Sequence, residues 1–190
     1  MLKLIRPTKE HEKQALAFKE EFFSNDENVI NGSELLDQMS DYSEWLKSVT
    51  NNMCEETVNP DWVITDTFFA VNESNKIVGI IDLRHTLNDF LKDFGNCGYS
   101  VRPSERKKGY ATDMLRQILK VAKESGMDEL HLSVERDNEP SIRTIKSNGG
   151  IYERSFEFES QMADIYQIVL WILGNPRGRG YLKWGIQTTR

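Results

Sequence analysis

Residues 111–124 carry apolar side chains at Ala111, Met114, Leu115, Ile118, Leu119 and Ala122, the clearest helical period in the chain. What precedes that helix limits the fold most. Residues 96–102 read as a strand that Pro103 ends, and a polar turn with Gly109 leads into the helix. The first amides of a helix have no partner within it and sit at the positive end of its dipole. A strand, a turn and a helix start in this order make a seat for a diphosphate. Gly109 and Ala111 lack bulk, so the backbone can approach phosphate oxygens closely. Arg106, Lys107 and Lys108 bring positive charge to the turn.

The flanking segments predict a mixed α/β order. Leu2 and Leu4 begin a strand that stops at Pro7, and Thr8 caps a helix with Ala15, Leu16, Phe18, Phe22 and Phe23. Residues 33–53 have helical spacing, broken near Ser40. Residues 63–71 and 77–83 form a hairpin across the Asn72-Glu73-Ser74-Asn75 turn, and a short helix spans 87–94. Leu130, Leu132 and Val134 alternate as a strand, and Asp137 or Asn138 starts a helix that Gly149-Gly150 ends. The rest is strand-like: 165–172 is apolar, Gly174-Asn175-Pro176 turns the chain, and 181–186 can return as a strand. Residues 1–190 read as one domain, with 173–190 an added strand or a dimer-contact tail.

A net charge of −6 argues against nonspecific nucleic-acid binding. No apolar run approaches the roughly 20 residues of a membrane helix, and the charged N-terminus lacks a secretory pattern. Cys54 and Cys97 sit in no metal-ligand spacing, so no metal is expected and a reducing cytoplasm is the simplest setting.

In this context, Arg106-Lys107-Lys108-Gly109-Tyr110-Ala111 resembles the signature of the GNAT superfamily of acyl-CoA N-acyltransferases: Arg or Gln, two residues, Gly, one residue, then Gly or Ala. Val101-Arg102-Pro103 matches the Val-x-Pro that often precedes it, and Asn138 matches an Asn opening the next helix. The resemblance covers roughly residues 62–160. Arg84-His85-Thr86-Leu87-Asn88 ahead of a Gly-Tyr-Ser-Val-Arg-Pro strand is also similar to a bacterial subgroup of predicted acetyltransferases.

The resemblance implies a three-layer fold, with a central, mostly antiparallel, splayed sheet flanked by helices. It implies acetyl-CoA as co-substrate and a small-molecule or peptide amine as acceptor. Its pantetheine arm would pair with the backbone of Tyr99, Ser100 and Val101. The amides of Arg106, Lys107, Lys108, Gly109, Tyr110, Ala111 and Thr112 would hold the pyrophosphate, with Asn138 and Ser141 nearby.

The chemistry needs a base for the amine and polarising amides for the carbonyl. Glu135, His85 and Asp82 are candidate bases. Glu135 lies at the C-terminal end of its strand, and His85 can titrate near neutral pH. A solvated strand-end carboxylate and a structural histidine are the plain alternatives. Many family members place a Tyr acid seven residues after the helix-opening Asn; here Ile145 stands there, leaving Tyr99, Tyr152 or unaided thiolate departure. Cys97 and His131 read as packing residues, and Arg177-Gly178-Arg179-Gly180 as a hairpin turn, since no amphipathic helix follows it. A non-catalytic acyl-CoA sensor on the same fold is the rival reading.

Overall fold

A computed structural model describes residues 2–158 and 160–170. In chain order the strands are β1 (Lys3–Ile5), β2 (Thr65–Val71), β3 (Ile77–Arg84), β4 (Tyr99–Val101), β5 (Glu129–Glu135), β6 (Ile151–Phe158) and β7 (Gln161–Val169). The helices are α1 (Glu12–Phe23), α2 (Tyr42–Asn51), α3 (Tyr110–Glu124) and α4 (Glu139–Ser147). The strands form two antiparallel sheets, β1-β2-β3-β4 and β5-β7-β6. Where they meet, Gly95 bridges Leu132 and the Asn96 amide donates to the His131 carbonyl at 2.7 Å. Beyond that corner β4 and β5 do not pair, so the sheet is splayed there.

The two faces of β2 separate by side-chain parity. Phe68 and Ala70 pack toward α3, whereas Phe69 and Val71 pack toward α1 and α2. The β2–β3 register skips Val78, a bulge that turns Ile80 toward α1 and α2 and Ile81 toward α3. Asp82 and Arg84 follow with Ile80's parity and so belong to the α1–α2 face. On α3, Met114, Leu115, Ile118, Leu119 and Ala122 are buried. Each large side chain among them contributes roughly 1.5–3 kcal/mol.

Three expectations change. Thr8 caps a 3-10 turn at Lys9–His11, and α1 begins behind it. The first half of 33–53 is a run of turns: Glu34 and Leu35 adopt left-handed φ of 48° and 68°, and α2 starts only after Asp41, whose side chain accepts from the Ser43 and Glu44 amides. The segment 87–94 holds one 3-10 turn, Leu91–Asp93, because the Asn88 side chain takes the Leu91 amide at 2.9 Å. The turn at 174–176, the return strand at 181–186, the 177–180 hairpin and the 173–190 tail lie outside the described residues.

Candidate active site

β4 runs into a 3-10 turn at Pro103–Glu105 and then into the segment before α3. Lys107 and Gly109 take left-handed φ of 63° and 82°. The Arg106 amide, expected to face the pyrophosphate, instead closes the 3-10 turn by donating to the Pro103 carbonyl at 3.4 Å, whereas among the described residues nothing accepts the amides of Lys107, Lys108 or Gly109. A Cβ on Gly109 would meet no heavy atom within 4 Å, so its outer side is open space. Free amides, an α3 dipole and open room together make an anion seat.

Antiparallel pairing fixes which edge of β4 is free. The Asp82 amide donates to the Gly98 carbonyl at 3.1 Å, and the Arg102 amide to the Val78 carbonyl at 2.8 Å. Backbone groups of 98, 100 and 102 therefore face β3, and those of Tyr99 and Val101 face the splay. The Val101 carbonyl takes the Arg106 Nε at 3.2 Å.

All the residues expected to hold the co-substrate, except Lys108, line one cleft of about 600 Å³. It joins Tyr99–Val101, the turn from Arg106, the first turn of α3, and Asn138 and Ser141 on α4. The turn's charge is less free than the sequence suggests. Arg106 grips both carboxylate oxygens of Glu27 and lies over the Phe22 ring. Lys108 pairs with Glu105 at 2.7 Å, and Glu105 also holds Lys76. The hydrogen bonds from Lys108 and Lys76 hold the Glu105 carboxyl below its usual range. Lys107 has no ion pair among the described residues.

Asn138 caps α4 by accepting the Ser141 amide at 3.2 Å, with Pro140 in the first turn. Tyr99 Oη donates to the Ser141 carbonyl at 3.4 Å. Burial pushes the Tyr99 hydroxyl up to about 12, so it is a proton-bearing donor at neutral pH. Ile145 is buried in the core beside Gly150.

The structure separates the other candidates. Glu135 is exposed at the end of β5, paired in register with Ala163, and does not line the cleft. His85 Nε2 lies 3.0 Å from Asp66 Oδ2, and Arg6 holds the other oxygen at 2.7 Å. Burial would raise Asp66, but hydrogen bonds from His85 and Arg6 outweigh it and the carboxyl stays below its usual range. Tyr152 is exposed and shares a 2.8 Å hydrogen bond with Ser155. His131 sits between Glu129 and Glu153. Cys97 is buried, and burial pushes its thiol well above the usual value. Asp82 is fully buried, and its Oδ1 accepts the Gly98 amide.

Glu34 had no signal in the sequence, because its segment mimics a helix. It lines a second cleft of about 490 Å³, which shares Val29 and Asn31 with the first. The loop carrying it is pressed onto β4. A Cβ on Gly32 would lie 2.1 Å from the Gly98 carbonyl oxygen, so only glycine fits. Ser100 Oγ donates to the Asn31 carbonyl at 2.9 Å, and Trp45 Nε1 donates to the Ser33 and Glu34 carbonyls. Trp62 Nε1 and Asn52 Nδ2 reach Glu34 Oε2 at 3.0 and 3.2 Å.

The sequence pattern of the family described as "Acetyltransferase (GNAT) domain" matches residues 3–151. No curated protein matches the sequence. Among solved structures, the ribosomal L7/L12 alpha-N-protein acetyltransferase RimL in complex with coenzyme A is similar at 12% identity and a TM-score of 0.67, over 89% of this chain and 94% of that one. The microcin C7 self-immunity acetyltransferase MccE, with acetyl-CoA and AMP, is similar at 17% and 0.64, over 88% and 92%. The spermidine/spermine N-acetyltransferase SpeG from Vibrio cholerae is similar at 12% and 0.63, over 90% and 95%. The structural likenesses show a shared fold, and with the family pattern spanning 3–151 of 190 residues, the chain belongs to the GNAT acetyltransferase family.

Proposed function

We propose that the chain is an acetyl-CoA-dependent N-acetyltransferase that acetylates an amine by direct attack. One observation carries the reading: the free β4 edge and the unpartnered amides before α3 open into the same cleft. A pantetheine-diphosphate chain has the matching order of groups, amides along its arm and anionic oxygens at its end. On this reading both backbone groups of Tyr99 and the amide of Val101 offer main-chain partners to the arm, and the amides of 107–112 face the diphosphate. Asn138 and Ser141 flank it at the α4 start.

The acceptor enters by the second cleft, whose shared rim meets the first at Val29 and Asn31. Tyr99 carries the only role from the expected catalytic set that lies in the cleft, as a donor toward the departing sulfur. Glu135 and His85 lie outside that cleft.

A non-catalytic acyl-CoA sensor is the second reading, favoured by Ile145 standing where a Tyr acid is common. Calorimetry with acetyl-CoA and an assay across primary amines separate them. Binding with acetyl transfer supports the enzyme, and binding without transfer supports the sensor. No binding at high micromolar acetyl-CoA overturns both.

A further inference from the structure

Glu34 lines the second cleft, whose rim meets the first at Val29 and Asn31, on the face of β4 opposite Tyr99. Its side chain is only 5% exposed, yet it lines open space. Trp62 and Asn52 occupy Oε2, while Oε1 has Arg84 Nη2 at 3.6 Å, and the Asp82 carboxyl stands within hydrogen-bonding reach of the Glu34 carboxyl. Behind it, Arg84 Nη2 lies 2.7 Å from Asp82 Oδ2. That contact is ionic and off the hydrogen-bond direction, because Asp82 Oδ2 and Arg84 Nε both lack a hydrogen-bond partner. The cluster holds two carboxyls against one guanidinium. With both carboxyls ionised it has one negative charge too many for a buried site, which a bound cation or a proton must offset.

The groups facing Glu34 agree. Asp82 and Arg84 come from β3, with Cys97 of the segment entering β4 behind them, while Asp37 and Asp61 line the same cleft. Arg84 is already committed to the two carboxyls and lies over the Trp62 ring. The cleft therefore presents acid to an incoming ligand. Gly32 against Gly98, and Asn31 against Ser100, hold the Glu34 loop directly over the start of β4.

We propose that Glu34 is the proton acceptor for a cationic primary amine seated in the second cleft, with Asp82 and Arg84 as its positioning pair. The inference rests on the N-acetyltransferase reading above. The ammonium gives one proton to Glu34 Oε1. The freed nitrogen pair forms a bond to the thioester carbonyl carbon, and the carbon–sulfur bond breaks with its electrons going to sulfur. The nitrogen's second proton goes to that sulfur, leaving an amide and a thiol, and Glu34 returns its proton to solvent.

Burial, and then the Asp82 carboxylate, push the Glu34 carboxyl up to about 8. A base must be deprotonated to act, so the rate rises with pH and levels off above about 8.

The test is Glu34→Gln, which keeps an oxygen for Trp62 and Asn52. The expected result is an unchanged acetyl-CoA affinity, a kcat lower by at least about 100-fold, and loss of the rising limb. The limb is read on the unmodified chain as well, with primary amines of different basicity. A limb that stays put supports an enzyme carboxyl, and one that tracks amine basicity overturns the assignment. If the unmodified chain acetylates amines and Glu34→Gln keeps its rate and limb, this inference alone fails. If the unmodified chain acetylates no amine, the underlying reading fails with it.

Discussion

Arg106 and Glu27, 79 residues apart in sequence, meet as a two-pronged pair, with Nη1 2.7 Å from Oε1. The first residue of the family's signature thus points its guanidinium at a carboxylate on the cleft wall, not into open solution. Its Nε meanwhile holds the Val101 carbonyl, so the turn is tied both to β4 and to the segment after α1. The pair is partly exposed, so its direct worth is only about 0–1 kcal/mol. Its effect is on charge. Glu27→Gln removes a carboxylate from the cleft and leaves Arg106 less neutralised. Acetyl-CoA is expected to bind about threefold to tenfold more tightly at low salt, with the gain shrinking above ~0.15 M. Calorimetry at two ionic strengths checks this, and weaker binding would mean that Glu27 serves mainly to position Arg106.

Gly109 separates backbone strain from ligand space. Gly109→Ala meets nothing in the protein but keeps a left-handed φ, so it should cost about 1–2 kcal/mol of stability. Gly109→Glu adds bulk and negative charge facing the free amides. Acetyl-CoA affinity should fall about 100-fold or more, roughly 2.7 kcal/mol, in a chain that still melts cooperatively. Thermal melts and calorimetry on the two variants distinguish the effects.

Trp45 is fully buried and holds the Ser33 and Glu34 carbonyls through one indole N–H, 2.8 and 3.1 Å away. Trp45→Phe keeps an aromatic ring and removes that donor. Stability should drop by about 2 kcal/mol. The acceptor KM should rise while the acetyl-CoA Kd stays the same, because the loop over Gly98 loosens and the anion seat does not. A matched loss of acetyl-CoA binding would count against a separate acceptor cleft.

Glu21 ties acid stability to α1. Burial alone would raise its carboxyl, but hydrogen bonds from Arg102 and from Ser104 pull it down to about 2. The folded value lies below the ordinary carboxylate value of 4.5, so the stabilisation is full above that pH and is lost as pH falls toward 2. After allowance for partial exposure it is on the order of 2 kcal/mol. Denaturant titrations between pH 6 and 2.5 should show a flatter pH dependence for Glu21→Gln than for the unmodified chain.

How much could be read beforehand follows from how local each signal is. The α3 core face and the Pro103–Gly109 turn depend on neighbours within a few residues, and they stand where the sequence put them. Asn138 and Pro140 announce α4 for the same reason. The loop at 30–35 does not, since Leu35, Leu36 and Met39 keep helical spacing while Trp45 takes the carbonyls a helix would use. Arg106 and Lys108 looked like free charge because their acids, Glu27 and Glu105, are identified only by folding. Glu34 and Asp82, 48 positions apart, become neighbours only when the loop lies over β3 and β4.

The splay between β4 and β5 has a signature in proton exchange. Along one short strand, alternate amides have opposite fates: the Arg102 amide is locked to Val78, whereas those of Tyr99 and Val101 look into a slot. In deuterated solvent, Tyr99 and Val101 should therefore exchange far faster than their immediate neighbours. A ligand that pairs with that edge would slow these two amides selectively, so exchange at Tyr99 and Val101 gives a residue-level clock for occupancy that needs no turnover.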